Sequence, residues 1–167
     1  MRENGMNDLE FTDYYPGVLG RITELHAVYY HENWGFDLSF EIQVAGELAE
    51  FMRQFREERD GLWIVRSDGL FAGAVAIDGH LSDTEGARLR WFIVEPSLQG
   101  KGLGRALIRK AVGFCRTAGC RKIFLWTFKG LDSARHLYEL EGFHVGEQHE
   151  ANQWGQLIQE QKFELIL

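Results

Sequence analysis

The sequence predicts an α/β fold of the α+β kind: a mixed, mainly antiparallel sheet of six to seven strands flanked by about four helices. Two observations carry this reading. Residues 18–36 and 37–55 repeat apolar side chains at helical spacing, and from Gly61 onward short apolar runs bounded by turn residues take over. One further helical pattern, led by glycines, interrupts those runs at residues 99–118.

Residues 1–14 read as a disordered leader without the basic and apolar regions of a secretory signal, and residues 15–167 as one domain. A short strand is expected near Gly17–Arg21. After Pro16, Ile22, Leu25, His26 and Tyr29 share one helical face. Phe40, Val44, Leu48, Phe51 and Phe55 then form a nearly continuous stripe, the clearest amphipathic helix of the chain. Asp68-Gly69 between LWIV and LFAGAVAI is a hairpin signal. ARLRWFIV is a third strand of this group, ended by Pro96. The run QGKGLG opens the next helix, with Leu103, Leu107, Ala111, Phe114 and Ala118 on one side and Gly119 as its stop. KIFLWTF reads as a buried strand, Asp132 or Ser133 as the cap of a short helix that Gly142 ends, and FHVGEQ and EQKFELIL as the last two strands.

Bulk properties narrow the function. The chain is 45% hydrophobic and 26% charged, and no apolar run nears the ~20 residues that span a bilayer, so a soluble, cytoplasmic protein is expected. A net charge of -7 repels phosphate backbones and argues against nucleic acid. Cys115 and Cys120 have no metal-ligand partners at a recognisable spacing and read as free thiols, and no metal is expected.

The loop Gln99, Gly100, Lys101, Gly102, Leu103, Gly104 stands where a strand hands over to a helix, so backbone N–H groups face outward at the helix's positive end. Such a loop suits an anion: glycines allow close approach, and Lys101 and Arg105 add charge. It equally suits a plain tight turn. A dinucleotide fingerprint starting at Gly102 needs glycine where Leu107 stands, and no P-loop run exists.

Gln99-x-x-Gly102-x-Gly104 matches the Q/R-x-x-G-x-G/A loop of the GNAT acetyltransferases, and Leu137-Tyr138 with Gly142-Phe143 resembles that family's LY-x-x-x-GF segment. Several segments further resemble acetyltransferase domains fused to MarR-type winged-helix regulators. The resemblance implies a GNAT fold, splayed between the fourth and fifth strands, and an N-acetyltransferase that uses acetyl-CoA. Residues Gln99–Arg105 would hold the pyrophosphate, and backbone around Phe92 and Val94 the pantetheine arm. Tyr138 would be the general acid toward the departing thiolate, its alternative being a core tyrosine on one face with Ala134. The acceptor amine would meet Tyr30 and Trp34, with Arg90 either a surface residue or a clamp for an acidic group. A homodimer is left open, as is a work-sharing regulator. Two departures stand out. Histone-modifying relatives carry glutamate where this chain has Arg88, and Leu131 replaces an asparagine, its polar contact left to Thr127 or Ser133. Glu85 and Glu160 are the candidates for a base acting through water. The competing reading is a coenzyme A-binding sensor without turnover.

Overall fold

A computed structural model of the chain describes residues 9–167. The elements run β1 (Leu9–Thr12), α1 (Val18–Trp34), α2 (Leu38–Arg53), β2 (Gly61–Ser67), β3 (Leu70–Asp78), β4 (Ala87–Val94), α3 (Leu103–Thr117), β5 (Lys122–Phe128), α4 (Asp132–Leu140), β6 (His144–Gln153) and β7 (Gln156–Ile166), with a short 3-10 turn at Pro96–Leu98. The seven strands form one sheet in the order β1-β2-β3-β4-β5-β7-β6. All neighbours are antiparallel except β4 and β5.

Part of the predicted leader differs from expectation. Residues 1–8 lie outside the described residues, but Leu9–Thr12 pair antiparallel with Ser67–Ile64 as the edge strand β1. The short strand expected near Gly17–Arg21 is instead the first turn of α1. The stripe on α2 holds through Phe51, while Phe55 falls beyond the helix end at Arg53. Neither Asp132 nor Ser133 caps α4: the cap position is Leu131, and Asp132 lies in the first turn, where its charge complements the helix dipole. β6 runs on to Gln153, well past the predicted FHVGEQ.

The Asp68-Gly69 signal is realised as a two-residue turn with both φ values positive, 52° and 78°, the twist that a tight hairpin needs. Helices cover both sheet faces. Leu107, Ile108, Ala111 and Val112 of α3 pack with Val75, Ile77, Ile123, Leu125 and Phe163 on one face. Val18, Ile22, Leu48 and Phe51 of α1 and α2 pack with Ile64, Ala74 and Ala76 on the other. A third, aromatic cluster of Phe36, Phe40, Phe128 and Ile158 joins the α1–α2 junction to β5 and β7.

The break in the sheet has a local cause. β4 and β5 pair only at Ala87↔Ile123 and Arg88↔Phe124. Beyond this, Ala76 faces Arg90 and Ala74 faces Ile93, so Val75 alone lies opposite Trp91 and Phe92. This is a β-bulge, and Trp91 takes φ 46°. The bulge bends the second half of β4 away from β5, and the two strands diverge toward Val94 and Phe128.

Candidate active site in the strand split

The split opens into a cavity of about 920 Å³, of the size that takes a cofactor-sized ligand. Phe92, Val94, Gln99, Gly100 and Gly104 line one part, Tyr138 and Ser133 of α4 another, and Tyr29, Tyr30 and Trp34 of α1 a third.

At the mouth, α3 starts without a side-chain cap. Its cap residue Gly102 has φ 87°, and the first helical bond joins Ala106 N–H to the Gly102 carbonyl. The amides of Leu103, Gly104 and Arg105 are therefore left for another acceptor. A Cβ placed on Gly100 or Gly102 would meet open space, whereas one on Gly104 would come within 2.8 Å of Leu137 Cδ1 and 3.2 Å of Phe92 Cζ. Gly104 thus lets α3 close onto α4 and β4, while Gly100 and Gly102 leave room outside the helix end.

The other loop residues divide by task. Gln99 Nε2 donates to the Val94 carbonyl at 3.2 Å, tying the loop to the end of β4. Arg105 Nε and Arg109 Nε each donate to Glu141 Oε1 at 3.0 Å. Desolvation works against the Glu141 carboxylate, but bonds from Arg105 and then Arg109 outweigh it and hold its pKa below the usual range. Lys101 is exposed and makes no ion pair among the described residues, so its charge is available at the loop.

Tyr138 is 5% exposed and packs against Phe92, Phe143 and Phe163 at ring distances of 5.8–6.0 Å. Its ring belongs to the core cluster, and the residue also lines the cavity. Burial, and then the nearby Tyr30, push its pKa up, so the phenol keeps its proton at neutral pH. Tyr30 is raised likewise by burial and then by Tyr29. It stacks on Phe36 at 5.7 Å, and Trp34 meets Phe128 edge-on at 5.4 Å. Phe36 itself is core.

Arg90 lines the cavity but is already engaged. It bonds Asp78 at 3.2 Å and Glu47, and stacks over Trp91 at 4.1 Å. Its charge is held by the protein and is not a waiting clamp. His26 is buried, its Nδ1 2.7 Å from the Ile22 carbonyl, and burial lowers its pKa to about 4 against the opposing effect of that bond. It is neutral at pH 7. Of the two carboxylates suggested as bases, Glu160 lines the cavity and sits 2.7 Å from His149 Nε2, whereas Glu85 is exposed in the turn before β4 and does not line it.

Sequence reasoning missed the far wall. Trp154 and Gln153, at the β6–β7 hairpin tip, close over the α1–α2 junction: Trp154 Nε1 donates to Gln43 Oε1 at 2.9 Å, and Asp37 N–H to the Trp154 carbonyl at 3.1 Å. The turn uses Trp154 and Gly155 with φ 54° and 78°. Gly155 was the one local signal for it, since tryptophan is not a turn residue.

Comparisons with known proteins agree with this geometry. The model of the Acetyltransferase (GNAT) family matches residues 19–143. An uncharacterised N-acetyltransferase of Methanocaldococcus jannaschii is 27% identical over 120 residues, which are 70% of this chain and 53% of that protein. A mycothiol acetyltransferase of Beutenbergia cavernae is 34% identical over 82 residues, 49% of this chain and 28% of that protein. The chain thus spans about half the length of the first relative and less of the second. Among solved structures, YncA of Salmonella typhimurium, whose structure holds its cofactor acetyl-CoA, superposes with a TM-score of 0.77 at 17% identity, covering 96% of this chain and 95% of that one.

Proposed function

We propose, because the chain belongs to the acetyltransferase (GNAT) family, that it binds acetyl-CoA in the β4–β5 split and moves the acetyl group to an amine by direct attack in a ternary complex. The observation that carries this reading is the uncapped start of α3 with open space at Gly100 and Gly102, beside a cavity that Gly100, Gly104 and Tyr138 line. A diphosphate there accepts from the Leu103–Arg105 amides, with Lys101 adding charge. Phe92 and Val94 line the passage inward, and Thr127 and Ser133, both on the cavity wall, supply polar groups where Leu131 has none.

When bound, acetyl-CoA supplies an activated acetyl carbonyl and a thiolate leaving group. Tyr138, kept protonated by burial, donates to the sulfur as negative charge develops there. The same desolvation that raises the phenol disfavours the thiolate, so the two stay matched as donor and acceptor. A lysine-like ammonium must first lose its proton, at a cost of about 4–5 kcal/mol at pH 7 without help. Glu160, a cavity-wall carboxylate fixed by His149 and by Gln153, takes this proton through water. Tyr30 and Trp34 wall the acceptor's entry.

The test is thiol release from acetyl-CoA with a panel of amines, beside calorimetry of acetyl-CoA alone. Binding with amine-dependent release supports transfer. Binding without release from any amine supports instead a coenzyme A sensor, working beside a separate regulator of the MarR type that the sequence resemblance suggests. No binding defeats both.

A further inference from the structure

We infer that Arg88 is the carboxylate-binding end of the acceptor site, so that the acceptor is an amine that itself carries a carboxylate. The inference rests on the acetyl-transfer reading above and names its substrate class. Arg88 and Arg90 stand two apart on β4 and so point to the same sheet face, toward α2. Arg90 shows what a structural arginine does here: it bonds Asp78 and Glu47 and stacks on Trp91. Arg88 is partly buried, lines the cavity, and among the described residues makes no side-chain hydrogen bond or ion pair, Glu47 and Asp78 both being held by Arg90. Asp78 is even its direct partner across the β3–β4 ladder, yet gives its carboxylate to Arg90.

Partial desolvation, followed by repulsion from Arg90, is costly for Arg88 and lowers its pKa, while none of its nitrogens is buried without a partner and the guanidinium stays open to the cavity. A ligand carboxylate would relieve that cost, because the planar fork of N–H donors matches two carboxylate oxygens. The surroundings select a monoanion. Glu47 and Asp78 lie close enough to support the charge of Arg88, and Glu160 also faces the cavity, so every added negative charge on a ligand meets further repulsion and a monoanion is favoured over a dianionic phosphate. Phe40, Trp126 and Trp154 make the remaining wall aromatic, which suits an amino acid with an apolar side chain.

The experiment reads binding separately from turnover. With coenzyme A present, the cavity tryptophans report titration with N-acetylphenylalanine and N-acetylphenylalaninamide, which differ in the carboxylate alone. Wild type should bind the acid at least 10-fold tighter. Arg88→Met, which keeps the apolar stem, should erase the difference, and Arg88→Lys should keep part of it. Coenzyme A affinity by calorimetry should be unchanged in both variants. Equal binding of acid and amide by wild type, binding of neither, or a preference that survives Arg88→Met would overturn the inference. Acid preference without thiol release from any amine would leave the anchor standing and defeat acetyl transfer instead.

Discussion

Gly102 and Gly119 offer a matched pair at the two ends of α3. Gly102 precedes the helix with φ 87° and Gly119 follows it with φ 80°, and a Cβ on either meets nothing within 4 Å. Alanine at either position therefore pays for left-handed backbone without a clash, about 1–2 kcal/mol each. For a domain of this size that lowers Tm by about 2–8 °C. The ligand should feel the two changes differently. At Gly102 the new methyl occupies the space beside the Leu103–Arg105 amides, and forfeiting one charge-assisted bond to a phosphate costs about 1.5–3 kcal/mol, roughly 10- to 100-fold in affinity. At Gly119 it lies at the far end of the helix. Calorimetry of acetyl-CoA with both variants, beside thermal melts, should give equal destabilisation but a loss of affinity for Gly102→Ala alone. Equal affinities would refute the assignment of this loop as the diphosphate cradle.

Three further outcomes follow from named contacts. Tyr138→Phe should lower kcat by about 10²- to 10⁴-fold, or 3–5 kcal/mol of barrier, with little change in acetyl-CoA affinity or Tm, because the ring packing stays and only the donor leaves; steady-state kinetics with an accepted amine checks this, and an equally fast variant would make Tyr138 a packing residue. His26, with its pKa lowered from 6.5 to about 4, binds protons more readily when unfolded, so its contribution is present above pH 6.5 and lost as pH falls toward 4. Urea unfolding at pH 7 and pH 5 should differ by about 2 kcal/mol from this group, a difference that His26→Gln removes. Asp60 is 2% exposed and accepts from Gly79 N–H at 2.8 Å and Arg56 N–H at 2.9 Å, so Asp60→Ala strands a buried donor and should lose about 1–3 kcal/mol in urea titration.

Local signals made much of the fold legible. The α2 stripe, the Asp68-Gly69 turn and the glycine loop before α3 each depend on residues within a few positions of one another, and all three appear where the sequence puts them, save that Phe55 lies past the end of α2. β1 was not legible. Leu9–Thr12 is short and mostly exposed, and it is a strand only because β2 offers an edge more than 50 residues away. The bulge at Trp91 escaped for the same reason: nothing in RWFIV marks φ 46° at a tryptophan, and the register with β3 imposes it. Gln99, Gly100, Gly104 and Tyr138, singled out through the family resemblance, all line the cavity. The different fates of Arg88 and Arg90 were not legible, because which of two neighbouring arginines takes Asp78 and Glu47 is decided by packing across three elements. The far wall at Trp154 depends on the long β6–β7 hairpin folding back over α2, a contact between residues 111 apart.

The central claim, that the β4–β5 split is an acetyl-CoA site ending at Tyr138, is tested most directly by a crystal structure of the protein grown with acetyl-CoA. The diphosphate should accept from the amides of Leu103, Gly104 and Arg105, and the thioester sulfur should lie within hydrogen-bonding reach of the Tyr138 hydroxyl. Acetyl-CoA bound outside the split, or seated there with its sulfur turned away from Tyr138, would contradict the account.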